Sequence, residues 1–148
     1  MTGVQTCALP IFVAFDESEG ADRALAMAAS LAAVNPEAHV DVVYVVPIPL
    51  LDETQMANFK DILDMMISDG EDLLAEAEQK MGEDVAARTD SLLLTGTNPA
   101  TEIVKLIGQR DYDLLIVGNR GLSGLKEYMG SVSHKLLHAS PIPVLIAK

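Results

Sequence analysis

A three-layer α/β sandwich built on a parallel sheet is the fold this sequence predicts, and three observations predict it. Short apolar runs alternate with stretches of helical periodicity from residue 12 to the end. The runs are nearly continuous in Val, Ile and Leu, as strands covered on both faces are. The chain has 148 residues, 49% hydrophobic and 22% charged, which is one domain's worth of core and excludes disorder.

The elements follow in order. Phe12–Phe15 is an apolar run ended by Asp16, and after Ser18 the residues Ala21, Leu25, Ala28 and Leu31 recur at helical spacing until Asn35-Pro36 stops them. His39–Val46 (HVDVVYVV) is β-branched and nearly unbroken, and Pro47 and Pro49 forbid its continuation. Met56, Phe59, Leu63, Met66, Leu73, Ala77 and Met81 mark a long amphipathic helix with acids on its other face. The methionines at 56, 66 and 81 are expected in the helix core, and Gly70 is expected to weaken or kink it. Ala87–Leu94 supplies a third strand. Asn98-Pro99 opens the next helix, with an N-cap side chain and a proline at the first helical position, and Ile103, Leu106 and Ile107 form its buried stripe. Asp113–Val117 is a fourth strand running into glycines, Ser131–His138 a helix and Val144–Ala147 a fifth strand. Strand and helix alternate throughout, which means parallel βαβ units in one domain.

Residues 1–11 are set apart. Thr2–Ile11, TGVQTCALPI, reads as the translation of a common sequencing-adapter string, so the native domain is expected to span 12–148. Setting the segment apart also removes Cys7, the only cysteine, and with it any disulfide. No basic n-region with a long apolar core marks a secretion signal, and a cytoplasmic location is expected. No run of about 20 apolar residues suggests a membrane span.

The net charge is −12, which argues against a nucleic-acid partner that works by phosphate neutralisation. The charge is uneven. Residues 52–84 carry eleven acids and two bases, whereas residues 95–148 carry four acids and six bases. The C-terminal third can therefore host an anion, because exposed charges are screened over roughly 8 Å at physiological salt.

Ligands of an open parallel sheet sit beyond the carboxyl ends of its strands. Asp16, Val45 and the loop after the fourth strand lie there. The loop carries Gly118, Gly121, Gly124 and Gly130, followed by Ser131, Val132 and Ser133 at a helix start. Glycines allow close backbone approach, so that several N–H groups can converge on a phosphate, and the helix dipole and serine hydroxyls add to this. A tight connection with ordinary serine caps is the plainer reading. No Gly-Lys-Ser/Thr is present, and no glycine fingerprint follows the first strand.

From Phe12 to Lys148 the sequence resembles the universal stress protein family. The resemblance is carried by AFDES, HVDVVYVV, Gly96 and Pro99, DLLIVGNRG, GSVS and the PVLIAK ending. It implies a five-stranded parallel sheet of order 3-2-1-4-5, of the adenine nucleotide alpha hydrolase-like kind. It also implies an adenine-nucleotide-binding sensor or regulator of the stress response, with ATP, AMP or ADP as ligand and Mg2+ as an accompanying ion. Asp16 would lie by the nucleoside and Val45 would meet the adenine through its backbone. Val117, Gly118 and Gly121 would line the ribose and phosphate side, Arg120 would assist, and Gly130, Ser131, Val132 and Ser133 would hold the phosphates. ATP-binding members carry Gly-x2-Gly-x9-Gly-Ser/Thr, whereas here eight residues separate Gly121 from Gly130. That shortening redirects the later N–H groups, so the adenine and ribose contacts are expected to survive it better than the triphosphate contacts. The alternative is a dimeric interaction protein of the same family that binds no nucleotide.

No general base, nucleophile or paired carboxylates assemble around the loop, so binding, with slow ATP hydrolysis at most, is expected. His39, His134 and His138 show no partners at metal-ligand spacing along the chain, and no metal site is expected. The family resemblance further implies a homodimer through the last strand, Val144, Leu145, Ile146 and Ala147, whose apolar edge invites pairing.

Overall fold

A computed structural model describes residues 9–16, 18–119 and 131–148. Five parallel strands form one sheet in the order β3-β2-β1-β4-β5. They are β1 (Leu9–Phe15), β2 (Ala38–Pro47), β3 (Thr89–Gly96), β4 (Leu114–Gly118) and β5 (Val144–Ala147). The helices are α1 (Glu19–Ala33), α2 (Glu53–Lys80), the one-turn α3 (Glu83–Ala86), α4 (Pro99–Gln109) and α5 (Ser131–Ala139). The α/β sandwich and the 3-2-1-4-5 order are thus those expected.

Strand alternation sorts the side chains into two cores. Ile11, Val13, Val40, Val42 and Ile116 pack with Ala24, Leu25 and Ala28 of α1 and Leu74 and Ala77 of α2. Phe12, Val43, Val45, Leu115 and Val117 pack with Ile103, Leu106 and Ile107 of α4 and Leu136 of α5. A fully buried Phe, Leu or Ile contributes about 1.5–3 kcal/mol relative to exposure, so the central strands hold both layers to the sheet.

β1 starts three residues before the expected Phe12. Leu9, Pro10 and Ile11 pair with Ala38, His39 and Val40, and Ile11 also pairs with Leu114. Ile11 is fully buried. The expected start of the third strand at Ala87 is displaced to Thr89, because α3 and its exit occupy the preceding residues. Thr89 Oγ1 donates to the Val85 carbonyl at 2.8 Å. Next to it Arg88 donates to the carbonyls of Ala32, Asn35 and Ala38, tying the end of α1 to the start of β2.

Helix starts follow their caps. Ser18 accepts from the Ala21 N–H, Asn98 accepts from that of Thr101, and Asp52 and Gln55 form a reciprocal capping box. α2 runs unbroken through Gly70, and packing accounts for that glycine. It is buried, and a Cβ there would lie 2.8 Å from the side chains of Tyr44 and Leu93. The expected core methionines divide. Met81 is buried, whereas Met56 and Met66 are half-buried, because the first half of α2 extends past the sheet's cover. Its buried residues, Gly70, Leu74 and Ala77, all lie in the second half.

Candidate functional site

The strand order reverses at β1: β2 and β3 lie to one side of it, β4 and β5 to the other. Beyond the carboxyl ends of β1 and β4 the flanking helices diverge, α1 to one face of the sheet and α5 to the other, which is where open parallel sheets hold their ligands. α1 leaves β1 through Asp16 and Ser18, and the Asp16 carboxylate accepts from the Ser18 N–H at 2.8 Å. That bond organises the turn into α1, while Ser18 itself is the N-cap. Asp16 is exposed, so its carboxylate is open to solvent at the end of β1.

On the neighbouring strand, Gly118 ends β4. It packs backbone to backbone against Gly20 in the first turn of α1, and a Cβ on Gly118 would run into the Gly20 main chain. A Cβ on Gly20 would in turn meet the Asn119 carbonyl. Two glycines therefore let the start of α1 close directly onto the end of β4. Gly20 was not among the residues expected at the site. Its signal was faint, a single glycine just inside a helix start, where glycine is otherwise disfavoured.

α5 brings a second helix start to the same place. Ser133, in its first turn, donates its hydroxyl to the Gly118 carbonyl at 2.7 Å. The leading N–H groups of a helix have no partners within it and carry the positive end of its dipole. The β4 end is held from the other side as well, since the Asn119 N–H donates to the Ala147 carbonyl at 2.9 Å.

Of the expected site residues, the fold brings Val117, Gly118 and Ser133 together and sets Asp16 at the end of the neighbouring strand. Val117 is buried and pairs with Ala14 and Ile146. Val45 lies one residue past the last β1–β2 pair, Phe15 with Tyr44, so its backbone is level with Asp16. Val132 turns inward against the α4/α5 core, and Ser131 opens α5. Arg120, Gly121 and Gly130, and with them the shortened glycine spacing, lie outside the described residues.

A second polar group sits at the opposite, amino edge of the sheet. His39 Nε2 lies 3.1 Å from Asp41 Oδ1 and 2.9 Å from Asp90 Oδ2. The expectation that His39 lacks ligand-bearing neighbours rested on spacing along the chain. Strand pairing sets Asp41 directly opposite Asp90, and His39 shares the Asp41 face two residues earlier. The Tyr112 hydroxyl donates to Asp41 Oδ2 at 2.5 Å, and Arg110 stands 3.7 Å from the same oxygen. Burial, and then the Asp41 carboxylate, push the Tyr112 hydroxyl well above its ordinary pKa.

Comparison with known proteins agrees with this architecture. The universal stress protein family model matches residues 9–148. A universal stress protein of Thermus aquaticus is 32% identical over 139 residues, covering 93% of this chain and 97% of that protein. One from Bacillus subtilis is 40% identical over 81 residues, and there the match spans only about half of each, 54% of this chain and 53% of the relative. Among solved structures, a universal stress protein from Lactobacillus plantarum superposes with a TM-score of 0.83 at 20% identity, over 97% of this chain and all 100% of that one. Another, in complex with cAMP, superposes with a TM-score of 0.64 at 25% identity, over 93% and 94% of the two chains. A third, from Arabidopsis thaliana with AMP bound, gives 0.70 at 20% identity over 95% and 91%.

Proposed function

The chain belongs to the universal stress protein family, and we propose that it binds an adenine nucleotide at the carboxyl ends of β1 and β4 and acts as a sensor or regulator in the stress response. The observation that carries this reading is the bond from Ser133 to the Gly118 carbonyl. It sets the amino end of a nine-residue helix beside the strand end at the point where the strand order reverses, and that combination suits an anionic ligand. The cAMP complex of a relative that shares this fold supports an adenine ligand.

In this reading Asp16 lies by the nucleoside and the Val45 backbone meets the adenine. Val117 and Gly118 line the ribose side, and Arg120, Gly121, Gly130, Ser131, Val132 and Ser133 surround the phosphates. The monophosphate end requires only the strand ends and the α5 start. The outer phosphates of ATP, with Mg2+, also require the glycine loop, which is one residue shorter than the family's ATP-binding spacing. Hence AMP is the ligand the site serves best, with ADP and ATP held less well per phosphate added. The function is binding, and a homodimer through Val144, Leu145, Ile146 and Ala147 in β5 is part of the proposal. That strand lies at the sheet edge, and its ladder runs to β4.

Calorimetric titration with AMP and with Mg-ATP tests the proposal. AMP binding that Gly118→Val abolishes in a folded sample is the expected result. Absence of heat with both nucleotides would overturn it in favour of the interaction protein that binds no nucleotide.

A further inference from the structure

We propose that His39, Asp41 and Asp90 form a binding site for a divalent transition-metal ion, of which Zn2+ is the best match, at the amino edge of the sheet. The site is independent of the nucleotide reading and lies at the other end of the strands. Three potential ligand atoms, the imidazole Nε2 and one oxygen from each carboxylate, all fall within 4.8 Å of one another.

The spacing suits coordination. Two metal bonds of about 2.1 Å put their donor atoms about 3.0 Å apart at a right angle and about 3.4 Å apart at the tetrahedral angle zinc prefers. An opening of about 0.4 Å by the exposed Asp90 carboxylate and the His39 ring meets the tetrahedral spacing. Nε2 stands 3.1 Å from the Asp41 oxygen and 2.9 Å from the Asp90 oxygen. A single Nε2–H between two carboxylates is shared by both, whereas a dication in its place would answer both charges and the nitrogen lone pair. One imidazole and two carboxylates are a borderline donor set, suited to Zn2+ and its neighbours.

The surroundings hold the donors in place. Asp41 is nearly buried, and its other oxygen is taken by the Tyr112 hydroxyl with Arg110 nearby. This fixes Oδ1 toward His39, as partners behind a ligating carboxylate do. The His39 and Asp41 positions are set by β2 and that of Asp90 by β3, so two rigid strands present the three atoms. The Asp90 side chain is 72% exposed and that of His39 32%, which leaves an entry path and room for water to complete the coordination. A bound ion would clamp β3, an edge strand, to β2.

The test uses the full chain with the competing donors removed. His134 and His138 lie one turn apart on α5, with ring centroids 4.6 Å apart, and could capture a metal themselves. The background is therefore Cys7→Ser, His134→Ala, His138→Ala, titrated calorimetrically with ZnCl2 at neutral pH. The 15N resonances of the remaining histidine are recorded alongside. One saturable equivalent is expected, with a shift of the His39 Nε2 resonance. Asp90→Asn, at an exposed position that leaves the fold intact, is expected to weaken binding at least about tenfold. No saturable heat in the background protein, or an affinity that neither Asp90→Asn nor His39→Ala changes, would overturn the site and leave a plain hydrogen-bonded cluster.

Discussion

The hydroxyl of Ser133 in the first turn of α5 is bonded to the carbonyl of Gly118, the last residue of β4, at 2.7 Å. This one contact fixes where the glycine loop between them must begin and end. Ser133→Ala removes the donor, and a net cost of about 1 kcal/mol is expected in urea unfolding. AMP affinity should fall in the same variant. Unchanged affinity together with lost stability would make the serine a structural clasp only.

Glycines at two positions should respond oppositely to the same substitution. At Gly118 a Cβ collides with the main chain of Gly20, and backbone cannot yield cheaply. Gly118→Ala should destabilise by roughly 1–3 kcal/mol. At Gly108, inside α4, a Cβ meets nothing within 4 Å, and Gly108→Ala should stabilise by up to about 1 kcal/mol. Thermal melts of the two variants check the pair, and similar shifts in both would contradict the close approach of α1 to β4.

Tyr112 makes stability depend on alkaline pH. The fold holds the hydroxyl neutral, through burial and the Asp41 carboxylate, above its ordinary value of 10.0. The unfolded chain ionises at that ordinary value. The contribution is therefore fully present below pH 10 and is lost as pH rises from there through the folded value. Absorbance at 295 nm should show one tyrosine that fails to ionise near pH 10–11 until the protein is unfolded. Tyr112→Phe should abolish that lag.

β5 offers the proposed dimer edge. Proline at Leu145 removes a backbone donor from a four-residue strand. Leu145→Pro should yield monomer or aggregate by light scattering, and an unchanged dimer mass would count against pairing through this strand.

The loop length carries its own prediction. Insertion of one glycine between Met129 and Gly130 restores the nine-residue spacing of ATP-binding members. It should tighten Mg-ATP more than AMP, because only the outer phosphates need the restored register. Equal effects on both would reject the length argument.

What the sequence determined by itself was local periodicity and chain punctuation. Val, Ile and Leu runs between helical stretches made βαβ units legible, and Ser18 and Asn98 marked helix starts because a cap acts within three residues of itself. The glycine-rich stretch after β4 and the serines after it pointed to one end of the sheet for the same local reason. Contacts between distant segments were decided only by the tertiary structure. Nothing near Gly20 says that Gly118 and Asn119 will close on it, and the spacing of His39 along the chain hid its neighbour Asp90, 51 residues away. That Gly70 sits under Tyr44 and Leu93, where a side chain has no room, was likewise decided by packing between distant segments. Periodicity reports which face of an element is apolar, while the register between strands, set by packing of both faces at once, decides which polar side chains meet at either end.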